Sequence, residues 1–250
     1  MRYLGIEPKR PRVGVFDFTC CEGCELQLVN KEETLVDFLN AIDVVNFREA
    51  STTARDDYQI AFIEGAVSRP DEVERLMKIR SHAGIVVALG TCAVFGGVHK
   101  LKNPFGAEEA NREVYGDHAK VTMDVRPVRE FIKVDFEIPG CPVNKAEVER
   151  VLQHLLMGLT YEYPVYPVCV ECKQRFTSCV FEAGSLCLGS ISRAGCNAPC
   201  PAGGLGCWGC RGPAADPNYK ELVSLAKARG HSEREISERM SFFGAFEAVK

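Results

Sequence analysis

An open α/β fold with a parallel sheet, followed by a cysteine-rich segment, is the architecture this sequence predicts. Strand and helix signals alternate over residues 1–160, as in a sheet layered with helices. The run 84–90 (GIVVALG) is apolar without alternation, the pattern of a strand covered on both faces. Of 13 cysteines, eight crowd into residues 169–210, where hydrophobic periodicity fades.

Taken in order, residues 13–18 (VGVFDF) read as a buried strand that runs into a cysteine-rich turn. From Glu25 the pattern becomes helical, with Leu28, Leu35, Leu39 and Ile42 on one face. Strands are expected at 43–47 and at 58–64 (YQIAFIE). Ser68 and Pro70 introduce a helix at 71–80 with Val73, Leu76 and Met77 as its apolar stripe. Another strand is expected at 133–138, then a helix at 145–157 packed through Val148, Val151, Leu152 and Leu155. At 161–167 (YEYPVYP), Pro164 and Pro167 make a stiff extended linker. The segment 169–212 is expected to lack an apolar core and to need something else to hold it together. Residues 213–250 offer two short helices, around 219–228 and 232–240, with Phe242, Phe243 and Phe246 packed back or docked on a partner. Three domains follow: 1–160, 161–212 and 213–250.

Composition narrows the function. A chain 46% hydrophobic and 26% charged is ordinary globular material. Its net charge of -4 supplies no basic field for nucleic acid. No apolar run approaches the roughly 20 residues of a membrane-spanning helix. The start, MRYLGIEPKRPR, is too short and polar for a secretory signal, which places the chain in the cytoplasm. Cysteines in a reducing compartment are not expected to form a disulfide framework. Metal or cluster ligation explains them better.

Their positions sharpen this. Cys20, Cys21 and Cys24 follow the first strand, Cys92 follows strand 84–90, and Cys141 follows strand 133–138. Sites in open parallel sheets gather outside the carboxyl ends of strands, so these segments are expected to converge. Cys21 and Cys24 then grip one cluster, completed by Cys92 and Cys141. Cys20, diverging from its neighbour, is left to packing or support. The other eight divide into Cys169, Cys172, Cys179 and Cys187, and Cys196, Cys200, Cys207 and Cys210. Crossed ligation stays open, because Cys200 precedes Pro201 as in two-cluster ferredoxins. Soft thiolates suit iron–sulfur clusters or zinc. Two zinc ribbons would explain 169–210 equally well, but zinc accounts less well for a site converging on a sheet edge.

Nothing in the sequence marks a catalytic residue. Glu22 and Glu25 could relay protons, although acids at a helix start are favoured by the dipole alone. Trp208, inside the last CxxC, reads as a hydrophobic lid over a cluster. The five histidines are scattered, and no GxGxxG follows the first strand.

The motifs TCCEGCELQL, GTCAVFGG, IPGCPVNKAE, CVEC and CLGSISRAGCNAPCPAGGLGCWGCRGP together resemble the small subunit of a nickel–iron hydrogenase of the soluble, cytoplasmic type. The resemblance runs to about residue 212. It implies a flavodoxin-like domain whose proximal [4Fe–4S] cluster is held by Cys21, Cys24, Cys92 and Cys141. A ferredoxin-like, two-cluster segment follows. There the resemblance gives the distal cluster Cys169, Cys172, Cys179 and Cys187, and the medial one Cys196, Cys200, Cys207 and Cys210, with Cys179 and Cys196 free to exchange. Three [4Fe–4S] clusters would carry electrons from a Ni–Fe centre in a partner large subunit to an acceptor-reducing flavoprotein or iron–sulfur subunit. FAD or FMN and NAD(P) would belong to those other subunits. The competing functions are a zinc-stabilised scaffold or interaction subunit, a complex I-like electron-transfer subunit, which leaves the last eight cysteines unexplained, and a hydrogenase-like subunit whose partner has lost nickel.

Overall fold

In this computed structural model, which describes residues 10–30 and 35–246, the chain divides into two compact units, Met1–Tyr161 and Glu162–Lys250. The secretory-signal expectation rests largely on residues 1–9, which lie outside the described residues.

The first unit begins with β1 (Arg12–Asp17), α1 (Gly23–Val29), α2 (Leu35–Ala41), β2 (Asp43–Phe47), β3 (Ile60–Glu64) and α3 (Pro70–His82). It continues with β4 (Ile85–Leu89), α4 (Gly90–Phe95), a 3-10 helix (Gly97–Phe105), α5 (Ala107–Tyr115), β5 (Phe136–Ile138) and α6 (Lys145–Met157). The five strands pair in the order β2-β1-β3-β4-β5, all parallel. That order reverses direction between β1 and β3, which opens a crevice at the carboxyl end of the sheet. Every residue of β3 and β4 is buried, as a strand covered on both faces requires. The core gathers Phe16, Phe18, Ile63, Val67, Leu76, Ile79, Val86 and Val128.

Two expectations change. The helical stretch from Glu25 to Ile42 is interrupted: α1 closes at Asn30, whose φ of −80° and ψ of 60° leave the helical region, and α2 starts again at Leu35. On α3 the inward stripe is Leu76 and Ile79, while Met77 stays 54% exposed. By contrast α6 spans the expected 145–157. Asn144 Oδ1 accepts from Ala146 N and Glu147 N to start it, and Gly158 at φ 70° ends it. Val148, Val151, Leu152 and Leu155 are all buried.

The second unit contains α7 (Val168–Gln174), α8 (Pro199–Ala202), α9 (Tyr219–Ala228) and α10 (Glu233–Ser241). Contrary to expectation, this unit has an apolar core. Leu186, Leu188 and Ile191 pack against Leu222, Ala226, Ile236, Met240 and Phe246. The tail supplies the apolar surface that the cysteine-rich segment lacks by itself. A smaller cluster joins Val168 and Ala198 to the buried Cys172 and Cys207. Among the described residues, no helix is long and apolar enough to cross a membrane.

Candidate functional site

The sheet of the first unit delivers its cysteines to one edge. Past β1 the chain pairs back on β3, with Phe18 N donating to Glu64 O at 2.8 Å and Thr19 N to Ala66 O at 3.0 Å. Glu22, at φ 61°, then turns the chain into α1, which carries Cys24. Cys92 lies in α4 directly after β4. Thr91 anchors the third segment, its N donating to Gly140 O at 2.9 Å and its Oγ1 accepting from Gly140 N at 3.2 Å, beside Cys141.

Strand β3 contributes no cysteine, but its last residue fills the gap between β1 and β4. The Glu64 carboxylate is 2% exposed and accepts from Cys24 N at 3.1 Å and Glu25 N at 2.6 Å. A strand-end anion thereby caps the start of a short helix, satisfying amides that would otherwise be orphaned. The signal for it was a lone acid closing the apolar run YQIAFIE. Gly90, at φ 85°, is equally particular: a Cβ there would lie 2.5 Å from Cys24 Sγ. Gly97 gives the same clearance to Cys92, whose Sγ would be 2.6 Å from an added Cβ.

Electrostatics tie these thiols together. Burial pushes Cys92 up to about 12, and the charges of Cys141 and Cys21 add to it. Cys141 rises through burial and then Cys21; Cys24 rises through burial, Glu64, Cys92 and Cys141. Cys20 is pushed to about 12 by burial, then by Glu64 and Glu25, and it also acts on Cys92, behind Cys141 and Cys21. Burial and neighbouring negative charge thus oppose ionisation of Cys24, Cys92 and Cys141. Four soft donors that repel one another once ionised suit a group supplying positive charge at their centre. Glu25 is 1% exposed, its Oε1 has no hydrogen-bond partner among the described residues, and burial followed by Glu64 and Asp17 raises it to about 8. It is therefore a buried acid and not simply a surface acid favoured by the helix dipole.

In the second unit Cys169, Cys172, Cys179 and Cys187 line one cavity of about 240 Å³, walled by Val168, Phe181, Ile191 and Leu222. A Cβ on Gly189 would stand 3.4 Å from Cys187 Sγ and 3.5 Å from Cys169 Sγ, so both sulfurs face that backbone. Cys196 is raised by burial, then Glu171, and feels Cys200; Cys207 is raised by burial, then Cys187 and Cys210. Cys207 N donates to Cys187 Sγ at 3.1 Å, joining the two sets. Glu171 accepts from Gly195 N at 2.8 Å, and the buried Arg211 donates from Nε to Ala194 O at 2.7 Å. Sequence reasoning passed over both residues, whose charge alone gave no hint of burial. Among the described residues, no group of three or more His, Cys, Asp or Glu has the geometry of a single-ion site. A cavity of about 630 Å³ between Ser68 and Lys120 has no cysteine in its wall.

The family model for the NADH ubiquinone oxidoreductase 20 Kd subunit matches residues 21–155, from the first paired cysteine nearly to the end of α6. The delta subunit of sulfhydrogenase 2 from Pyrococcus furiosus is 38% identical over 220 residues, covering 86% of this chain and 92% of its own. The chain belongs to this family, as a nickel–iron hydrogenase small subunit. A subunit of the vhu F420-non-reducing hydrogenase from Methanococcus voltae is 29% identical, over 94% of both chains. Among solved structures, a chain of an NAD+-reducing [NiFe]-hydrogenase is 25% identical with a TM-score of 0.57, covering 62% of this chain and 96% of that one. A hydrogenase from Ralstonia eutropha shares the fold over 87% of this chain and 85% of its own, at 16% identity and a TM-score of 0.60. As a small subunit of this family, the chain serves electron transfer within a hydrogenase.

Proposed function

We propose that this hydrogenase small subunit holds three [4Fe–4S] clusters in the cytoplasm: one on Cys21, Cys24, Cys92 and Cys141, one on Cys169, Cys172, Cys179 and Cys187, and one on Cys196, Cys200, Cys207 and Cys210. The domains are then a cluster-bearing flavodoxin-like domain at 1–160, a ferredoxin-like two-cluster domain at 161–212 and a helical tail at 213–250. The partner large subunit holds the Ni–Fe centre, and an acceptor-reducing flavoprotein or iron–sulfur subunit, with its flavin or NAD(P), takes the electrons. The observation that carries this is the approach of cysteines from the ends of three strands to one sheet edge, where Cys92 feels the charge of Cys141 and Cys21, and Cys141 that of Cys21. When bound, the clusters supply one-electron carriers spaced between the hydrogen-activating centre and the acceptor.

The residues of this chain set the surroundings of those carriers. Gly90 keeps the wall open beside Cys24, and Glu64 fixes the turn that presents it. The apolar lining around Cys169 and Cys187 excludes water, and the Cys207 amide donates to the Cys187 sulfur; both act on potential. Anaerobic purification of the complex followed by iron, sulfide and zinc analysis is the test. About 12 iron and 12 sulfide per small subunit are expected from three four-iron clusters. Stoichiometric zinc without sulfide would overturn the proposal.

A further inference from the structure

Helix α10 brings one cation to the cysteines of the second unit, and among the described residues it has no carboxylate partner. The Arg239 guanidinium lies over Trp208, its Cζ 3.5 Å from the ring centroid, and Trp208 sits between Cys207 and Cys210. Arg239 Nη1 is buried with no hydrogen-bond partner among the described residues. Both acids in the surrounding cavity of about 530 Å³ are engaged elsewhere. Glu238 Oε1 accepts from Arg234 Nε at 2.7 Å, and Glu235 Oε2 accepts from Ser232 N at 2.8 Å and Ser232 Oγ at 2.9 Å. Burial opposes the charge of Arg239, while the sulfurs of Cys187 and Cys207 favour it.

A guanidinium stacked on an indole is held in place, weakly hydrated and charged at every working pH. Adding an electron to a buried cluster adds negative charge with no proton or bond to offset it. A fixed cation nearby therefore favours the reduced form. We propose that Arg239 is a positioning residue that raises the reduction potential of the clusters ligated by Cys187 and Cys207, with Trp208 as its seat. This rests on the cluster assignment above. It gives Trp208 a role besides that of a lid and gives the helical tail an electrostatic one.

The test is an EPR-monitored redox titration of the intact complex bearing Arg239→Gln or Arg239→Lys. With iron and sulfide content unchanged, Arg239→Gln should shift the reduction equilibrium of at least one second-unit cluster about tenfold toward the oxidised form, about 59 mV for a one-electron couple. Arg239→Lys should retain most of the wild-type value, and the cluster of the first unit should not move in either variant. Trp208→Leu, which frees the guanidinium without removing it, should give an intermediate shift. Unchanged midpoints in iron-replete Arg239→Gln would overturn the proposal, as would Arg239→Lys shifting as far as Arg239→Gln. Wild-type protein lacking iron and sulfide would instead overturn the cluster assignment, and metal analysis reads that before any titration.

Discussion

The two units use their cysteines differently. In the first, the cluster of Phe16, Ile63, Leu76 and Val86 holds no thiol among its described members, and of the four candidate ligands only Cys24 is fully buried. In the second, Cys172 and Cys207 are themselves core residues beside Val168 and Ala198, with Cys187 and Cys196 packed against them. A site hung on a finished scaffold can lose its bound group and leave the scaffold standing. A site that is half of the packing cannot. The first unit should therefore separate function from fold, and the second should tie them together.

The largest effect is expected from Cys172→Ala. Loss of a bound group that organises a small unit removes several kcal/mol or more, on the order of 10 for structural metal sites. Limited proteolysis of the full chain should then digest residues beyond 162 while the first unit survives. Equal resistance of both units would break the contrast. Next, Met240→Ala empties the tail-built core and should cost about 2–5 kcal/mol by the usual large-to-small penalty, lowering the thermal midpoint of the same unit. A smaller cost, about 1–3 kcal/mol for stranded buried amides, is expected of Glu64→Ala, accompanied by loss of about four irons as Cys24 moves. The least change in stability belongs to Cys92→Ser, within about 1 kcal/mol of wild type because it lies outside the core, yet H2-dependent dye reduction by the complex should be abolished. Cys20→Ser should keep the full iron content. Loss of iron from that variant would mean that the adjacent thiol, not Cys21, is the ligand.

Much of the first unit was legible because its signals are local. Strand β4 is an unbroken apolar run, and α6 carries its own cap at Asn144 and its own stop at Gly158. What escaped was set by tertiary contact. Helix α4, only six residues long, begins on a glycine at φ 85°, a conformation chosen by the sulfur it must pass. Nor could periodicity show that Leu186 and Leu188 would find Ile236 and Met240, more than forty residues further along the chain. Cys169, Cys172, Cys179 and Cys187, which line one cavity, stood out by residue type. Glu64, Glu171 and Arg211 did not, since a charged residue in sequence reads as solvent-facing until its partners are known. The expectation of a coreless segment failed for the same reason: the missing apolar surface lay in the tail.

The bond from the Cys207 amide to the Cys187 sulfur has a consequence for assembly. A backbone donor at Cys207, in one proposed ligand set, holds the sulfur of Cys187, in the other, so filling of the two proposed sites is expected to be coupled. Maturation of this unit should be all-or-none, with half-loaded molecules scarce and readily degraded. The first unit, whose proposed ligands follow separate strand ends, is expected to fill independently.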